Sequence, residues 1–242
     1  MTYTVERAAL HFCPPWREQE RHRRFLRCIG EMWPEGVVRI LQCPQCGFAF
    51  GHPFVGGGET FYRILHEQMG YPAWRWDYDV ALGHPWVARL NGGKALDIGA
   101  GSGAFLEKLG PRWERHAVES SELTRAVLAR KNIPAHESLD SPALARLRGQ
   151  FHLITLFQVL EHVAEFYPLL SRCHDLLAPD GVLFITVPDG EAMARQERQP
   201  GLAEPPHGAA RAVGAVLAEA RQAQHDDARL DPSQRLPAEA QS

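Results

Sequence analysis

A short segment near the middle of the chain carries the residue types of a cofactor-binding turn. It reads Asp97-Ile-Gly99-Ala-Gly101-Ser-Gly103 and stands between a short apolar run and a helical stretch. Glycines at a strand-to-helix turn let the backbone approach a ligand, and we expect their amides to be free to bind its polar groups. Glu119 follows at the end of the next apolar run, where an acidic residue accepts hydrogen bonds from ribose hydroxyls. From these residues alone, nicotinamide and sulfonium cofactors both remain candidates.

A second candidate site lies near the amino terminus, where four of the five cysteines fall within the first 46 residues. Cys43-Pro-Gln-Cys46 followed by glycine has the spacing of a zinc knuckle, in which two thiolates on a tight turn share one tetrahedral metal ion. A zinc site would take Cys13 as its third ligand, with Cys28 or His11 as the fourth. In the alternative interpretation, Cys13 and Cys28 are small buried hydrophobic residues and no metal is bound.

The elements that must position these residues become regular from Lys94 onward. Strands are predicted at 95–98, 116–119, 134–137, 151–157 and 182–187, and helices at 104–109, 121–131, 141–148 and 164–177. Strands that alternate with helices indicate an α/β fold, here a Rossmann-like parallel sheet of about five strands with helices on both faces. Right-handed crossovers place the loops that follow the strands along one edge of the sheet, where open α/β sheets bind ligands.

Three segments flank this core, which we place at 93–190. Residues 1–70 form a small N-terminal region, and 71–92 are interpreted as an aromatic-rich helix and linker. The segment 191–242 contains no Phe, Tyr, Trp or Ile, so we predict a helix over about 209–220 followed by a disordered end. The fifth strand then keeps an open edge, which predicts either a monomer with the tail helix docked there or a dimer paired through that edge.

The overall composition is that of a folded globular protein without a polymeric partner. Twenty-six Lys and Arg oppose 29 Asp and Glu, and the net charge of −3 is too balanced for binding nucleic acid or an acidic membrane. There is neither a run of eighteen apolar residues nor a basic-then-apolar leader, so the sequence predicts no membrane span and no signal peptide. We therefore expect a cytoplasmic location and a small-molecule substrate.

Two further motifs follow the glycine turn and Glu119. Gln158-Val-Leu-Glu161-His162 ends the fourth predicted strand, and Leu177-Ala-Pro-Asp-Gly181 leads into the fifth. In this order and spacing the four motifs resemble the class I S-adenosylmethionine-dependent methyltransferases, and most closely the small-molecule branch that includes quinone-biosynthesis O-methyltransferases and sugar methyltransferases. The resemblance covers about residues 90–190. The cysteine pair followed by Gly-Phe-x-Phe is similar to the N-terminal zinc-binding region of some bacterial members.

The resemblance implies S-adenosyl-L-methionine as the cofactor and, through the cysteine region, Zn²⁺ as a second bound group. Asp97 and the glycine turn would face the methionine part of the cofactor, Glu119 the ribose, and residues 137–139 the adenine. The residues expected at the cofactor are Asp97, Gly99, Ala100, Gly101, Gly103, Glu119, Glu137, Ser138, Leu139, Gln158 and Val159. His162 would lie at the mouth of the site, where its usual pKa range suits a general base. Alternatively, Glu161 and His162 only cap the following helix or orient the loop.

These residues predict methyl transfer to an oxygen or carbon of a small molecule. The alternatives are a non-catalytic module that binds the cofactor or zinc and interacts with a partner, and a nicotinamide-dependent oxidoreductase that uses the same glycine turn. Members of the family usually complete the sheet with two more strands after the fifth, the last of them antiparallel. A strand-poor tail stands there instead, which leaves two expectations. The chain is a minimal member of the family, or it is truncated or shifted in reading frame after about Pro206.

Overall fold

The computed structural model describes residues 2–45, 49–67, 74–188 and 210–213. Predictions that concern Cys46, residues 68–73 and the tail at 189–209 and 214–242 lie outside these residues. The helices and strands fall into an N-terminal region and a larger α/β region. No described helix is long and apolar enough to cross a membrane.

The N-terminal region combines a small sheet with a helical core. Its elements are β1 (Thr2–Thr4), α1 (Val5–Phe12), α2 (Gln19–Met32), β2 (Val37–Gln42), β3 (Ala49–His52) and α3 (Glu59–His66). The three strands form an antiparallel sheet in the order β1-β2-β3. Helix α2 is amphipathic, because Arg21, Phe25, Cys28 and Ile29 recur at helical spacing and are all buried. Arg21 donates hydrogen bonds to the carbonyls of Ile64 and Leu65 near the end of α3, at 3.0 and 2.8 Å, which joins the two helices.

The α/β region confirms the predicted fold class. Its elements are α4 (Trp76–Gly83), α5 (Pro85–Ala88), β4 (Gly93–Ile98), α6 (Ala104–Lys108), β5 (Trp113–Val118), α7 (Glu122–Arg130), β6 (Ala135–His136), α8 (Pro142–Ala145), β7 (Phe151–Phe157), α9 (Phe166–Leu176), β8 (Leu177–Pro188) and β9 (Ala210–Val213). The strands lie in the order β6-β5-β4-β7-β8-β9, and those from β4 to β8 are mutually parallel. The chain order reverses between β4 and β7, and ligands bind such sheets at this switch point.

Apolar side chains cover both faces of the sheet, as a parallel sheet requires. One core holds Phe105, Leu106 and Leu128 from the helices that follow β4 and β5, together with Tyr78 of α4. The other core lies on the opposite face and includes Leu144 of α8 with Cys173 and Leu176 of α9. Cys173 is therefore a core residue. The aromatic-rich segment differs from the single predicted helix: within residues 74–92 it forms two helices, because the chain turns at His84 and Pro85 begins α5.

The sixth strand corrects the prediction for the tail. Residues 210–213, which were expected to belong to a helix over 209–220, form β9, antiparallel to β8 with Val213 opposite Ile185 and Ala210 opposite Pro188. Alanine and valine at helical spacing favoured a helix, but the edge of β8 offers unpaired backbone groups that a strand satisfies. The edge expected to stay open is thus paired along Ile185–Pro188.

Candidate active site

The glycine turn leaves β4 in a conformation that only glycine adopts readily. Gly99, Gly101 and Gly103 have φ angles of 71°, 52° and 82°, in the left-handed region. A Cβ atom on Gly99 would lie 2.6 Å from Val159 Cγ2, so the turn also packs directly against the loop that follows β7. This contact brings the predicted residues Gly99 and Val159 together at the carboxyl edge of the sheet.

The amides of the turn are mostly used inside the protein, contrary to the expectation that they are free for a ligand. The amides of Gly99 and Ala100 both donate to the carbonyl of Val118, at 2.8 and 3.2 Å. The Gly103 amide donates to the Ala100 carbonyl at 2.9 Å. The first two bonds hold the turn against the end of β5, and the third closes the turn on itself.

Glu119 joins the turn to the end of β5 through both carboxylate oxygens. Its side chain is buried, with 6% of the residue exposed. Oε2 accepts a hydrogen bond from the Gly101 amide at 3.0 Å, and Oε1 accepts one from the Ser121 amide at 3.0 Å. A carboxylate has about four lone-pair directions, so both oxygens can still accept further bonds. The carboxylate is therefore oriented by the backbone before any ligand binds.

Asp97 is a second buried carboxyl group, one residue before the end of β4. Its residue exposure is 2%, and Oδ1 accepts a hydrogen bond from the Thr155 hydroxyl of β7 at 2.7 Å. Burial raises the pKa of Asp97 to about 7, and the carboxylates of Asp77 and Glu119 act in the same direction, while Thr155 and Arg75 oppose the shift. The site thus concentrates acidic groups, an arrangement suited to a cationic ligand.

Four further side chains bond to one another or to predicted site residues, and the sequence did not predict them: Arg75, Asp77, Thr155 and Thr186. Asp77 lies in the first turn of α4 and is fully buried, and Arg75 donates to both of its oxygens at 3.1 and 2.8 Å. Thr186 of β8, also fully buried, donates to Asp77 Oδ2 at 3.1 Å. No spacing could have shown this contact, because its partners are 109 residues apart.

Gln158 follows β7 with a φ angle of 56°, which is unusual for a residue with a side chain. Its backbone amide donates to the Thr186 carbonyl at 3.0 Å, and its side-chain Nε2 donates to Thr186 Oγ1 at 3.3 Å. Gln158 was expected to approach the cofactor from the fourth strand, and it lies on the predicted edge, beside the Val159 side chain that packs against Gly99.

The predicted base His162 lies in a short 3₁₀ turn (Leu160–His162) beyond Gln158. Its ring contacts Tyr62 of α3 edge-on, with centroids 5.6 Å apart, and a Cβ atom on Gly56 would lie 2.3 Å from the His162 carbonyl oxygen. The N-terminal region therefore packs against this turn. Desolvation lowers the pKa of the half-exposed His162, and it raises the pKa of the neighbouring Glu161 to about 7. His162 Nε2 lies 3.8 Å from Glu161 Oε1.

The residues expected at the adenine follow β6 on the same edge. Glu137 and Ser138 are exposed, and Leu139 is half-buried against the core on the α9 side of the sheet. The Glu119 amide donates to the His136 carbonyl at 2.9 Å, which holds this loop next to the carboxylate predicted for the ribose. The predicted cofactor residues thus lie along the ends of β4, β5, β6 and β7.

The described cysteines among the predicted zinc ligands do not converge. Cys13 and Cys28 are buried in the helical core of the N-terminal region, among Phe25, Ile29 and other apolar residues. Cys13 Sγ lies 3.7 Å from the Glu18 carbonyl oxygen, and Cys28 Sγ lies 3.9 Å from the sulfur of Met32. Cys43 stands at the end of β2, and Cys46 lies outside the described residues. Among the residues that the structure describes, no three His, Cys, Asp or Glu side chains form a metal-binding group. Cys13 and Cys28 therefore do not fit the proposed zinc set.

Curated relatives of this chain are methyltransferases of quinone biosynthesis. "Ubiquinone biosynthesis O-methyltransferase" of Azotobacter vinelandii is 29% identical over 105 residues, 40% of this chain and 45% of that protein. The protein of the same name from Chromobacterium violaceum is 26% identical over 121 residues, 44% of this chain and 49% of that protein. The chain spans about half the length of the curated relatives it matches.

Solved structures with a similar fold include a protein from Pyrococcus horikoshii, at 17% identity and a TM-score of 0.45, covering 62% of this chain and 76% of that one. Another is a SAM-dependent methyltransferase from Archaeoglobus fulgidus, at 20% identity and a TM-score of 0.37, covering 48% of this chain and 56% of that one. A family model described as "Methyltransferase domain" matches residues 75–232, more than half of the chain and well into the tail. The chain therefore belongs to the methyltransferase-domain family.

Proposed function

We propose that the protein transfers a methyl group from S-adenosyl-L-methionine to an oxygen of a small molecule. The observation that carries this proposal is Glu119, whose two oxygens are held by the Gly101 and Ser121 amides at the carboxyl edge of the sheet. A buried carboxylate fixed in this way is suited to accept hydrogen bonds from the hydroxyls of a ribose. The family match and the names of the curated relatives support the same reaction.

The donor set favours this cofactor over a nicotinamide dinucleotide. A dinucleotide places its pyrophosphate on free amides of the glycine turn, but here the amides of Gly99, Ala100, Gly101 and Gly103 already have acceptors inside the protein. When ionised, the neighbouring Asp97 would also repel a pyrophosphate. The same carboxylate attracts the ammonium and sulfonium charges of S-adenosylmethionine. We therefore prefer the methyltransferase to the oxidoreductase.

When bound, S-adenosylmethionine supplies a methyl group that its sulfonium already activates. The chain would contribute orientation by Asp97, the glycine turn and Glu119, with residues 137–139 beside the adenine. For a hydroxyl acceptor the protein must also remove a proton, and His162 is our candidate base. Because burial lowers its pKa, the imidazole is neutral near pH 7 and can accept a proton. The names of the relatives specify O-methylation, so hydroxylated compounds, phenols among them, are the acceptors to test.

Titration calorimetry with S-adenosylhomocysteine and with NADH tests the cofactor. We expect the protein to bind S-adenosylhomocysteine and not NADH. Glu119→Gln should weaken that binding by roughly 10- to 100-fold, because a hydrogen bond to a charged group contributes about 1.5–3 kcal/mol. Glu122→Gln is the matched control, since Glu122 is exposed and only three residues away. Binding of NADH alone, or equal losses in the two variants, would contradict the proposal.

Methyl transfer to a panel of phenols, followed by mass spectrometry, tests the reaction and the base. We expect His162→Asn to lower kcat by roughly 10²- to 10⁴-fold, the usual contribution of a general base. Its affinity for S-adenosylhomocysteine should stay within about twofold of the wild type, and Glu161→Gln separates the role of the adjacent carboxyl group. If His162→Asn instead loses cofactor binding and keeps kcat, His162 orients the loop and is not the base.

A further inference from the structure

A buried polar chain connects α4 to the loop after β7. Arg75 donates to both oxygens of Asp77, Asp77 Oδ2 lies 3.1 Å from Thr186 Oγ1, and Gln158 Nε2 lies 3.3 Å from the same Thr186 oxygen. Asp77 and Thr186 have no exposed surface. This series of hydrogen bonds therefore begins at the Arg75 guanidinium and ends at the Gln158 side-chain amide. The two residues between them are shielded from solvent.

The direction of every hydrogen bond in this chain follows from its first member. Arginine can only donate, and a carboxylate that accepts from it has only acceptors to offer, so the Thr186 hydroxyl must give its single proton to Asp77. Thr186 Oγ1 can then only accept, which requires the NH₂ group of Gln158 to face it. The opposite end of the Gln158 amide, Oε1, is consequently an acceptor directed away from Thr186.

The backbone of Gln158 is held by the same residue. Its amide donates to the Thr186 carbonyl at 3.0 Å, and its left-handed φ of 56° is maintained by this pair of bonds to one threonine. The next residue, Val159, packs against the glycine turn. Both the backbone and the side-chain amide of Gln158 are therefore held by Thr186, beside the glycine turn.

We infer that Asp77 and Thr186 are positioning residues that make Gln158 present the oxygen of its side-chain amide, a hydrogen-bond acceptor, to the bound cofactor. The ligand group it takes is a donor, either an ammonium or a hydroxyl. The inference rests on the proposed function, because it assigns the ligand of Gln158 to the methyl-donating cofactor. It predicts that the charge of Asp77, which is fully buried, controls how tightly that cofactor binds.

Reversing the donor and acceptor direction of these hydrogen bonds tests the inference. In Asp77→Asn the remaining oxygen stays with Arg75 and the new NH₂ group donates to Thr186, whose proton then turns to Gln158. The Gln158 amide must rotate and present NH₂ to the ligand. We expect calorimetry with S-adenosylhomocysteine to show about tenfold or greater weakening. Gln158→Glu alone should also weaken binding, because its carboxylate faces an oxygen whose proton is committed to Asp77.

The double variant Asp77→Asn/Gln158→Glu distinguishes polarity from simple damage. The asparagine introduced at position 77 turns the Thr186 proton toward position 158, the glutamate there accepts it, and an acceptor again faces the ligand. We expect the double variant to bind S-adenosylhomocysteine more tightly than Asp77→Asn alone. Losses that simply add would overturn the inference. Thr186→Ser, which keeps the hydroxyl, should bind within about threefold of the wild type, whereas Thr186→Val should not.

Nuclear magnetic resonance of the ligand-free protein tests the same chain without the cofactor. The side-chain NH₂ protons of Gln158 should show nuclear Overhauser effects to Thr186 in the wild type and lose them in Asp77→Asn. Effects that persist unchanged in that variant would overturn the inference while leaving the proposed function standing. A wild type that fails to bind S-adenosylhomocysteine would instead overturn the proposed function and the ligand assignment together, even with the Overhauser effects present.

Discussion

The two halves of the candidate site are built in different ways. In the half formed by β4 and β5, Glu119 bonds to Gly101 and Ser121, which are 18 and 2 residues away along the chain. In the half formed by β7, β8 and α4, the bonds join Gln158 to Thr186 over 28 residues and Asp77 to Thr186 over 109. The first half is made mainly of backbone amides and the second of side chains.

This difference decides what a sequence can show. A strand-to-helix turn with three glycines has a narrow range of backbone conformations, so its motif predicts its shape. A buried threonine or aspartate has no such local requirement, and its partner depends on which elements the fold packs together. A sequence motif therefore predicts where a ligand binds, whereas the groups that orient the neighbouring side chains come from distant segments.

The largest effect should follow from disrupting the first half at Gly99. Gly99→Ala introduces a Cβ atom 2.6 Å from Val159 Cγ2 at a φ of 71°, so the backbone is strained and the two halves are pushed apart. Left-handed strain alone costs on the order of 1–3 kcal/mol. We expect binding of S-adenosylhomocysteine to fall by more than about 100-fold in calorimetry, with a lower melting temperature.

Gly110→Ala is the matched control for this change. A Cβ atom there has no neighbour within 4 Å, and its residue lies just beyond α6. The control should melt and bind like the wild type. Equal behaviour of the two variants would break the claim that the close contact between the halves shapes the site.

An intermediate effect is expected at Asp97, which joins the halves through Thr155. Its pKa rises from about 4 in the unfolded chain to about 7 in the folded protein, so between these pH values the folded protein holds a proton that the unfolded chain lacks. Stability from this group is therefore complete below pH 4 and is lost as the pH rises to 7. Asp97→Asn removes this loss. Relative to the wild type, its free energy of unfolding without ligand should therefore be more favourable at pH 8 than at pH 4, by on the order of 2 kcal/mol in chemical denaturation.

The cofactor should reverse this preference, because its positive charges favour the ionised carboxylate. We expect the wild type to bind S-adenosylmethionine more tightly as the pH rises through 7, and Asp97→Asn to bind weakly at every pH. Asp180→Asn, on an exposed residue, is the control and should follow the wild type in both measurements. A pH-independent difference in stability between Asp97→Asn and the wild type would show that burial does not shift this carboxyl group.

The smallest effect concerns the cysteines, where two of the predicted zinc ligands, Cys13 and Cys28, lie in the apolar core of the N-terminal region. Cys28→Ala removes one buried sulfur from the helical core of the N-terminal region, which costs about 1 kcal/mol. Cys43→Ser, at a half-buried position, should change the free energy of unfolding by less than about 0.5 kcal/mol. Denaturation should give the same values with and without a strong chelator. A melting temperature that falls on chelation, together with zinc in the purified protein, would restore the metal to this region.

Much of the core could be predicted because its strands are short apolar runs separated by glycine turns and helices. The predicted runs at 151–157 and 182–187 are β7 and half of β8, and the predicted cofactor residues lie on one edge as parallel strands require. The strand β9 could not be predicted, since its sequence favours a helix and only the unpaired edge of β8 makes extended backbone the better choice. The aromatic segment was predicted as one helix, but it divides into α4 and α5 because the chain turns at His84 and Pro85 begins the second helix.

The α/β fold, the position of the glycine turn and the acidic residue that faces it follow from the amino-acid sequence, because periodicity and glycine conformation act over a few residues. The tertiary structure alone decided that the amides of the turn are used internally, that Cys13 and Cys28 are core residues, and that Asp77 reaches Gln158 through Thr186. These outcomes depend on which side chains share one buried volume. Burial removes water as a hydrogen-bond partner, so each buried polar group must bond to a neighbouring protein group. Which groups are neighbours depends on the packing of the whole chain.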